Sequence, residues 1–192
     1  MRPDEMREKA IELFTQRLHC SQVLAMVGLE KLGIEDPSVI KALGAFGGGI
    51  GGTGNICGAL VGAASVIGSL YSRSSLEEKE NPRMWAATKA VMKNFEELAA
   101  PHGGINCCQI ARVNWMDRDQ VKDFYGNPES RRQHCITVVG ETARALGELL
   151  EQILIAGAAG RVAGAGFLLA QDGEVDAGGV EDLGDGARDL LV

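Results

Sequence analysis

Five cysteines, Cys20, Cys57, Cys107, Cys108 and Cys135, are the residues of this 192-residue chain best suited to chemistry. Thiolates ligate soft metals and exchange disulfides, and five thiols are many for a reducing compartment, where they serve structure, metal binding or redox chemistry. Their spacing narrows the choice. No two form CxxC, which removes the usual signature of zinc ribbons and thioredoxin-like sites, and no CxxCH offers covalent haem attachment. Cys107 and Cys108 are adjacent, and a disulfide between neighbours closes a strained, reducible ring. Cys57 lies in AFGGGIGGTGNICGALVG, Ala45 to Gly62, among eight glycines. Glycines ahead of a cysteine expose N–H groups and remove side chains that would collide with a cofactor. Gly51 and Gly54 are therefore predicted to lie where backbone approaches a bound cofactor.

A phosphate cradle is a weaker reading of the same glycines. Gly47-x-Gly49-x-x-Gly52 satisfies GxGxxG, but it follows a helical element, has no acidic residue about twenty positions on, and is not followed by Gly-Lys-Ser/Thr. With Asn55 as N-cap, Cys57 falls in the first turn of an apolar helix, where free N–H groups and the macrodipole stabilise a thiolate. Tight helix packing around an inert thiol explains the stretch equally well from position alone. Cys20 and Cys107 also stand at plausible helix starts, and Cys135 lies about two turns into a helix. Four thiols on four separate segments suit a site closed by the fold.

The elements that must carry them are helical almost throughout. Met6, Ala10, Ile11, Phe14 and Leu18 keep helical spacing, which resumes at Val23 after Arg17-Leu18-His19 and stops at Gly33. Asp36-Pro37 opens a short helix towards Phe46. An apolar helix is predicted from Ile56 to about Tyr71, with Gly58, Ala59, Gly62, Ser65 and Gly68 forming a face that lets another backbone approach. Pro82 starts an amphipathic helix with Trp85, Val91 and Phe95; Pro101 to Gly104 breaks it. A shorter helix begins at Asn106, and Asn127-Pro128 starts a long one through Val138, Ala143, Leu146 and Leu150. No segment alternates with period two. The fold class is all-α, a compact multi-helix bundle with a Gly-rich loop before a central apolar helix.

Composition bounds the rest. The formal charge is −7, of which residues 171–192 carry −6, through seven acids against Arg188. With no basic stripe, nucleic-acid binding has no support. The start MRPDEMREKA lacks the features of a signal or transit peptide, so the cytoplasm is the expected location. Gly160-x-x-x-Gly164 lies in an apolar span, but Arg161 and the glycines around it argue against membrane insertion. Two parts are expected: a helical domain over 1–155, and an extension over 156–192 that is Ala/Gly-rich, then acidic, with a final ARDLLV turn. The Gly-rich faces serve packing between two copies as readily as within one, so a homodimer is admitted.

His19-Cys20-Ser21-Gln22-Val23-Leu24, Ala45 to Gly51, Cys57-Gly58-Ala59-Leu60-Val61-Gly62, Ile105-Asn106-Cys107, and Cys135 followed by Val139 and Ala143 resemble the C-GCAxxG-C-C family of redox-active proteins. The order and context of all four family cysteines are matched over roughly Ala10 to Leu150. That family is related to the cluster-bearing part of split-Soret cytochromes. The resemblance implies an all-helical domain that binds an iron–sulfur cluster through Cys20, Cys57, Cys107 and Cys135. Cys108 stands where the family commonly has another residue, and the segment after Ile155 lies outside the match.

His19 and His134 each precede a cysteine, and His102 lies five before Cys107. Adjacent helical residues point about 100° apart, so a role beside the site or on the surface suits them better than ligation. Trp85, Phe95 and Trp115 are expected in the core; Asp117, Arg118, Asp119, Glu129, Arg131 and Arg132 at solvated helix ends. Three functions remain open. The favoured one is an electron-transfer or redox-sensing protein with an iron–sulfur cluster and a redox partner protein. The others are a cluster-free thiol–disulfide oxidoreductase, using Cys107-Cys108 or converging pairs, and a non-enzymatic module that holds zinc or packs its thiols.

Overall fold

The computed structural model describes the backbone of residues 1–163 and the side chains of residues 1–157. The expected features beyond these, Gly160-x-x-x-Gly164 as a whole, the acidic extension and the ARDLLV turn, lie outside the described residues. Among the described residues eight α-helices follow one another: α1 Pro3–Thr15, α2 Cys20–Leu32, α3 Pro37–Leu43, α4 Gly58–Tyr71, α5 Arg83–Ala99, α6 Cys107–Ile110, α7 Arg118–Gly126 and α8 Arg132–Ala163. Among the described residues the only β pairing is an isolated antiparallel bridge between Ile56 and Asn106. The chain is all-α, and Met1–Ala156 forms one compact unit. No helix among the described residues is long and apolar enough to cross a membrane.

The helix ends follow from their residues. Pro3 opens α1, and the Glu5 carboxylate accepts from the Arg2 N–H at 2.7 Å. Gln16 to His19 separate α1 from α2, with Arg17 turned to φ 73°. Gly33, at φ 70°, closes α2 by sending its N–H to the Glu30 carbonyl. Asp36 caps α3, its carboxylate accepting from the N–H groups of Ser38 and Val39.

Burial of α2 against α4 forms the centre of the molecule. Val23, Leu24 and Val27 of α2 are fully buried with Ala59, Ala63, Val66 and Ile67 of α4, and Phe95 of α5 and Val138, Val139, Ala143, Leu146 and Leu150 of α8 close round them. The approach is close because Gly62 has no side chain: a Cβ there would overlap the Ser21 carbonyl oxygen. Buried Ser21 donates its hydroxyl to Leu43 O at 2.7 Å, leaving no unsatisfied polar group at the crossing.

Three sequence expectations are corrected and one element is new. Asn55 does not cap α4; its backbone is engaged elsewhere, and Cys57 is the N-cap. The last helix starts at Arg132, because residues 127–131 form turns, so Cys135 sits in its first turn. Trp85 is 58% exposed, with its indole donating to Glu80 at 2.6 Å. Helix α7 was not anticipated as an element; Asp117 caps it, accepting from the N–H groups of Asp119 and Gln120, and Phe124 anchors it.

Candidate metal centre

Four helix starts converge on one cavity of about 320 Å³, and each delivers a cysteine. Cys20 is the first residue of α2, Cys57 the N-cap of α4, Cys107 the first residue of α6, and Cys135 lies in the first turn of α8. Cys57 and Cys107 are buried; Cys20 and Cys135 are half-buried on the cavity wall. The rest of the wall is apolar or aromatic, including Phe14, Leu18, Trp115, Phe124 and Tyr125, and no carboxylate lines it.

The Gly-rich segment shapes this cavity through its conformation. Gly48, Gly49, Gly51, Gly52 and Gly54 all have positive φ, as does Ile50. Its N–H groups are largely engaged within the segment, with Gly51 donating to Ala45 O, Gly52 to Gly47 O and Gly54 to Gly48 O. The expected row of free N–H donors is thus mostly consumed. Close approach matters at two positions: a Cβ on Gly49 would lie 2.7 Å from Cys107 Cβ, and one on Gly58 2.6 Å from Cys20 Sγ. Gly51 lines the cavity. Gly54 does not; it faces Cys108, whose Cβ would stand 3.0 Å from an added Cβ, in a separate cleft with Thr53 and Arg112. Cys108 is exposed and opens onto that cleft, away from Cys107.

Electrostatics divide the four thiols. Cys20 is the acidic one: a hydrogen bond from the Cys57 thiol and backbone N–H groups of Ser21, Cys20 and Ala59 favour its thiolate and outweigh burial. Cys57 keeps its proton, held well above the usual thiol range by donating to Cys20, by burial and by the Cys20 charge. The expectation of an acidic Cys57 is therefore corrected: the macrodipole acts, but proximity to Cys20 dominates. Burial pushes Cys107 up to about 11, opposed by the Trp115 indole N–H. Burial raises Cys135 as well, reinforced by the charges of Cys107 and Cys20 and opposed by Arg131 and Arg132.

Trp115, Arg131 and Arg132 were missed as site residues. Trp115 forms cavity wall rather than core, and the two arginines are not simply solvated. Arg132 lies over the rings of Phe14 and Tyr125, at 5.9 and 5.6 Å, and donates to Thr15 O at 3.1 Å. Arg131 reaches His134 Nε2 at 3.3 Å. The signal was present in Arg131-Arg132-Gln133-His134-Cys135, where two cations precede a half-buried thiol by about one helical turn. Of the histidines, His19 lines the cavity as N-cap of α2. His102 and His134 stand edge to face at 5.2 Å, and burial holds His102 below the usual imidazole range.

Thiolates are donors for soft metals, and the wall opposes them with N–H groups instead of carboxylates. Among the described residues three buried side-chain nitrogens lack any partner: Nε1 of Trp115 and Nε of Arg131 and of Arg132. The indole of Trp115 belongs to the cavity wall, and the two arginine charges act on Cys135; a donor and cations so placed fit an anionic group rich in acceptors. Among the described residues, no three His, Cys, Asp or Glu side chains gather round one ion position. A tetrahedral zinc ion needs sulfurs at about 2.3 Å. The four thiols are instead distributed round the cavity wall.

An all-helical fold that brings four cysteines from four helix starts to one cavity defines a thiol-centred redox or metal-binding class. The sequence profile of the C_GCAxxG_C_C family, described as "Putative redox-active protein", matches residues 18–149, and the chain belongs to that family. No curated protein and no solved structure matches it.

Proposed function

We propose that this chain is an electron-transfer or redox-sensing protein that holds an iron–sulfur cluster through Cys20, Cys57, Cys107 and Cys135. The observation that carries this reading is the single cavity lined by these four thiols. Such a cluster supplies a one-electron couple whose potential follows burial, charge and hydrogen bonding to sulfur. Cys20, ionised most readily, offers the first thiolate, and the Cys57 thiol beside it must release its proton on ligation. Arg131 and Arg132 offset negative charge at Cys135. Phe14, Leu18 and Phe124 limit water on the apolar side. Electrons are exchanged with a partner protein, in a reducing compartment such as the cytoplasm, where five free thiols persist.

A second reading is favoured by the placement of Cys20 and Cys57 on one cavity wall, with Cys20 Sγ against Gly58, the residue after Cys57. In thiol–disulfide exchange the Cys20 thiolate attacks a partner disulfide, releasing one partner thiolate. Cys57 then resolves the mixed disulfide, leaving Cys20–Cys57 oxidised and the partner reduced. Cys107 and Cys108 suit this chemistry less, since they open onto different cavities.

Anaerobic purification followed by iron, sulfide and zinc analysis, a visible spectrum and a thiol titration separates these readings. Iron with sulfide, and absorbance that bleaches on reduction, supports the cluster. Metal-free protein with a reversible two-electron dithiol supports exchange and overturns it, as does redox-silent zinc.

A further inference from the structure

A buried donor without an acceptor forfeits its hydration, so each such group calls for an explanation. The indole of Trp115 is in this state. It lies between α6 and α7, its ring edge to face with Phe124 at 5.1 Å, while Gly52 passes close to its Cβ and Gly48 close to its Cδ1, the atom next to Nε1. The indole thus sits against the Gly-rich segment on the wall of the cysteine cavity, with its N–H buried. Trp115 packs against the small cluster that contains Cys107, and both line the cavity, yet no acceptor completes a hydrogen bond to the indole N–H. A protonated thiol is a weak acceptor, whereas a metal-bound thiolate or a sulfide is a strong one.

We propose that Trp115 sets the reduction potential of the group bound in this cavity, by donating its indole N–H to sulfur at the Cys107 corner. The proposal rests on the cluster reading. Trp115 acts through sulfur and touches no metal. Reduction places added electron density on the sulfurs, so an N–H donor there stabilises the reduced form more than the oxidised one and raises the potential. Placement at Cys107 alone makes the effect asymmetric among the four ligands.

The test is a redox titration of the full chain after anaerobic reconstitution, as wild type, Trp115→Phe and Trp115→His. Phe keeps an aromatic ring against Phe124 and removes the donor; His restores an N–H. The potential of Trp115→Phe is expected to fall by roughly a tenfold change in the redox equilibrium, about 59 mV for a one-electron couple, with Trp115→His closer to wild type. An unchanged potential in Trp115→Phe carrying full iron and sulfide overturns this inference and leaves the cluster reading standing. A wild type that takes up no iron and sulfide overturns both. If the variants fail to fold, a Trp85→Phe chain labelled with indole-¹⁵N tryptophan carries the label at Trp115 alone, since the chain has two tryptophans. A ¹⁵N hyperfine coupling in the reduced cluster is then expected, and its absence overturns the proposal.

Discussion

Ile56 and Asn106 pair across an isolated antiparallel bridge, and the cysteine that follows each of them lines the same cavity. Cys57 N–H donates to Ile105 O at 3.0 Å and Cys107 N–H to Asn55 O at 2.7 Å. Two segments remote in sequence are thereby locked in register, which fixes two of the four cavity cysteines relative to each other.

The Cys107 side of this bridge is braced by Gln109. Its Oε1 accepts from Asn106 N–H at 3.0 Å and its Nε2 donates to Gly103 O at 2.6 Å. Gln109→Ala removes both bonds and is expected to cost about 1–2 kcal/mol. Chemical denaturation measures that loss, and iron release to a chelator should accelerate with it.

Gly58 and Gly68 form a matched pair in α4. A Cβ on Gly58 meets Cys20 Sγ at 2.6 Å and Phe46 O at 3.0 Å, whereas one on Gly68 meets nothing within 4 Å. Gly58→Ala should displace Cys20 and lower bound iron with helix content retained. Gly68→Ala should keep full iron and gain about 0.5–1 kcal/mol from helix propensity. Circular dichroism with iron analysis reads both.

Much of this site was legible in local chemistry, and the remainder depended on contacts across the fold. Gly33 and Asp36 announced their roles because stop and cap signals act within one turn. Cys20 and Cys107 were read as helix starts for the same reason. Asn55 misled because its backbone is claimed by Cys107, a partner that sequence proximity does not reveal. Cys57 looked acidic from its place near a helix start, until Cys20 arrived from another helix. Trp85 carried the apolar signature of a core residue, yet its place on α5 leaves it exposed, while Trp115 faces a cavity that exists only once α6 and α7 pack.

Burial of neutral thiols gives the cofactor-free protein a pH signature. Folding raises Cys107 from 9.0 to about 11, so between these values the fold keeps a proton that the unfolded chain has released. Stability from this group is full below pH 9 and is lost as pH rises towards 11, by about 3 kcal/mol at roughly 1.4 per unit. Cys57 and Cys135 act in the same direction, and Cys20, whose value is lowered, does not offset them above pH 9. Urea unfolding of apoprotein at pH 8 and pH 11 should show the loss, reduced in Cys107→Ser. Equal pH dependence in wild type and variant would contradict burial as the cause.

The most direct measurement is iron and sulfide content after anaerobic reconstitution of the wild type and five single variants, Cys20→Ser, Cys57→Ser, Cys107→Ser, Cys108→Ser and Cys135→Ser. Wild type and Cys108→Ser should carry the same iron and sulfide and bleach on reduction, because Cys108 opens away from the shared cavity. The other four should lose the cluster or hold it weakly. Iron loss in Cys108→Ser equal to that in Cys107→Ser, or a wild type that takes up neither iron nor sulfide, would contradict a cluster held by the four cavity thiols.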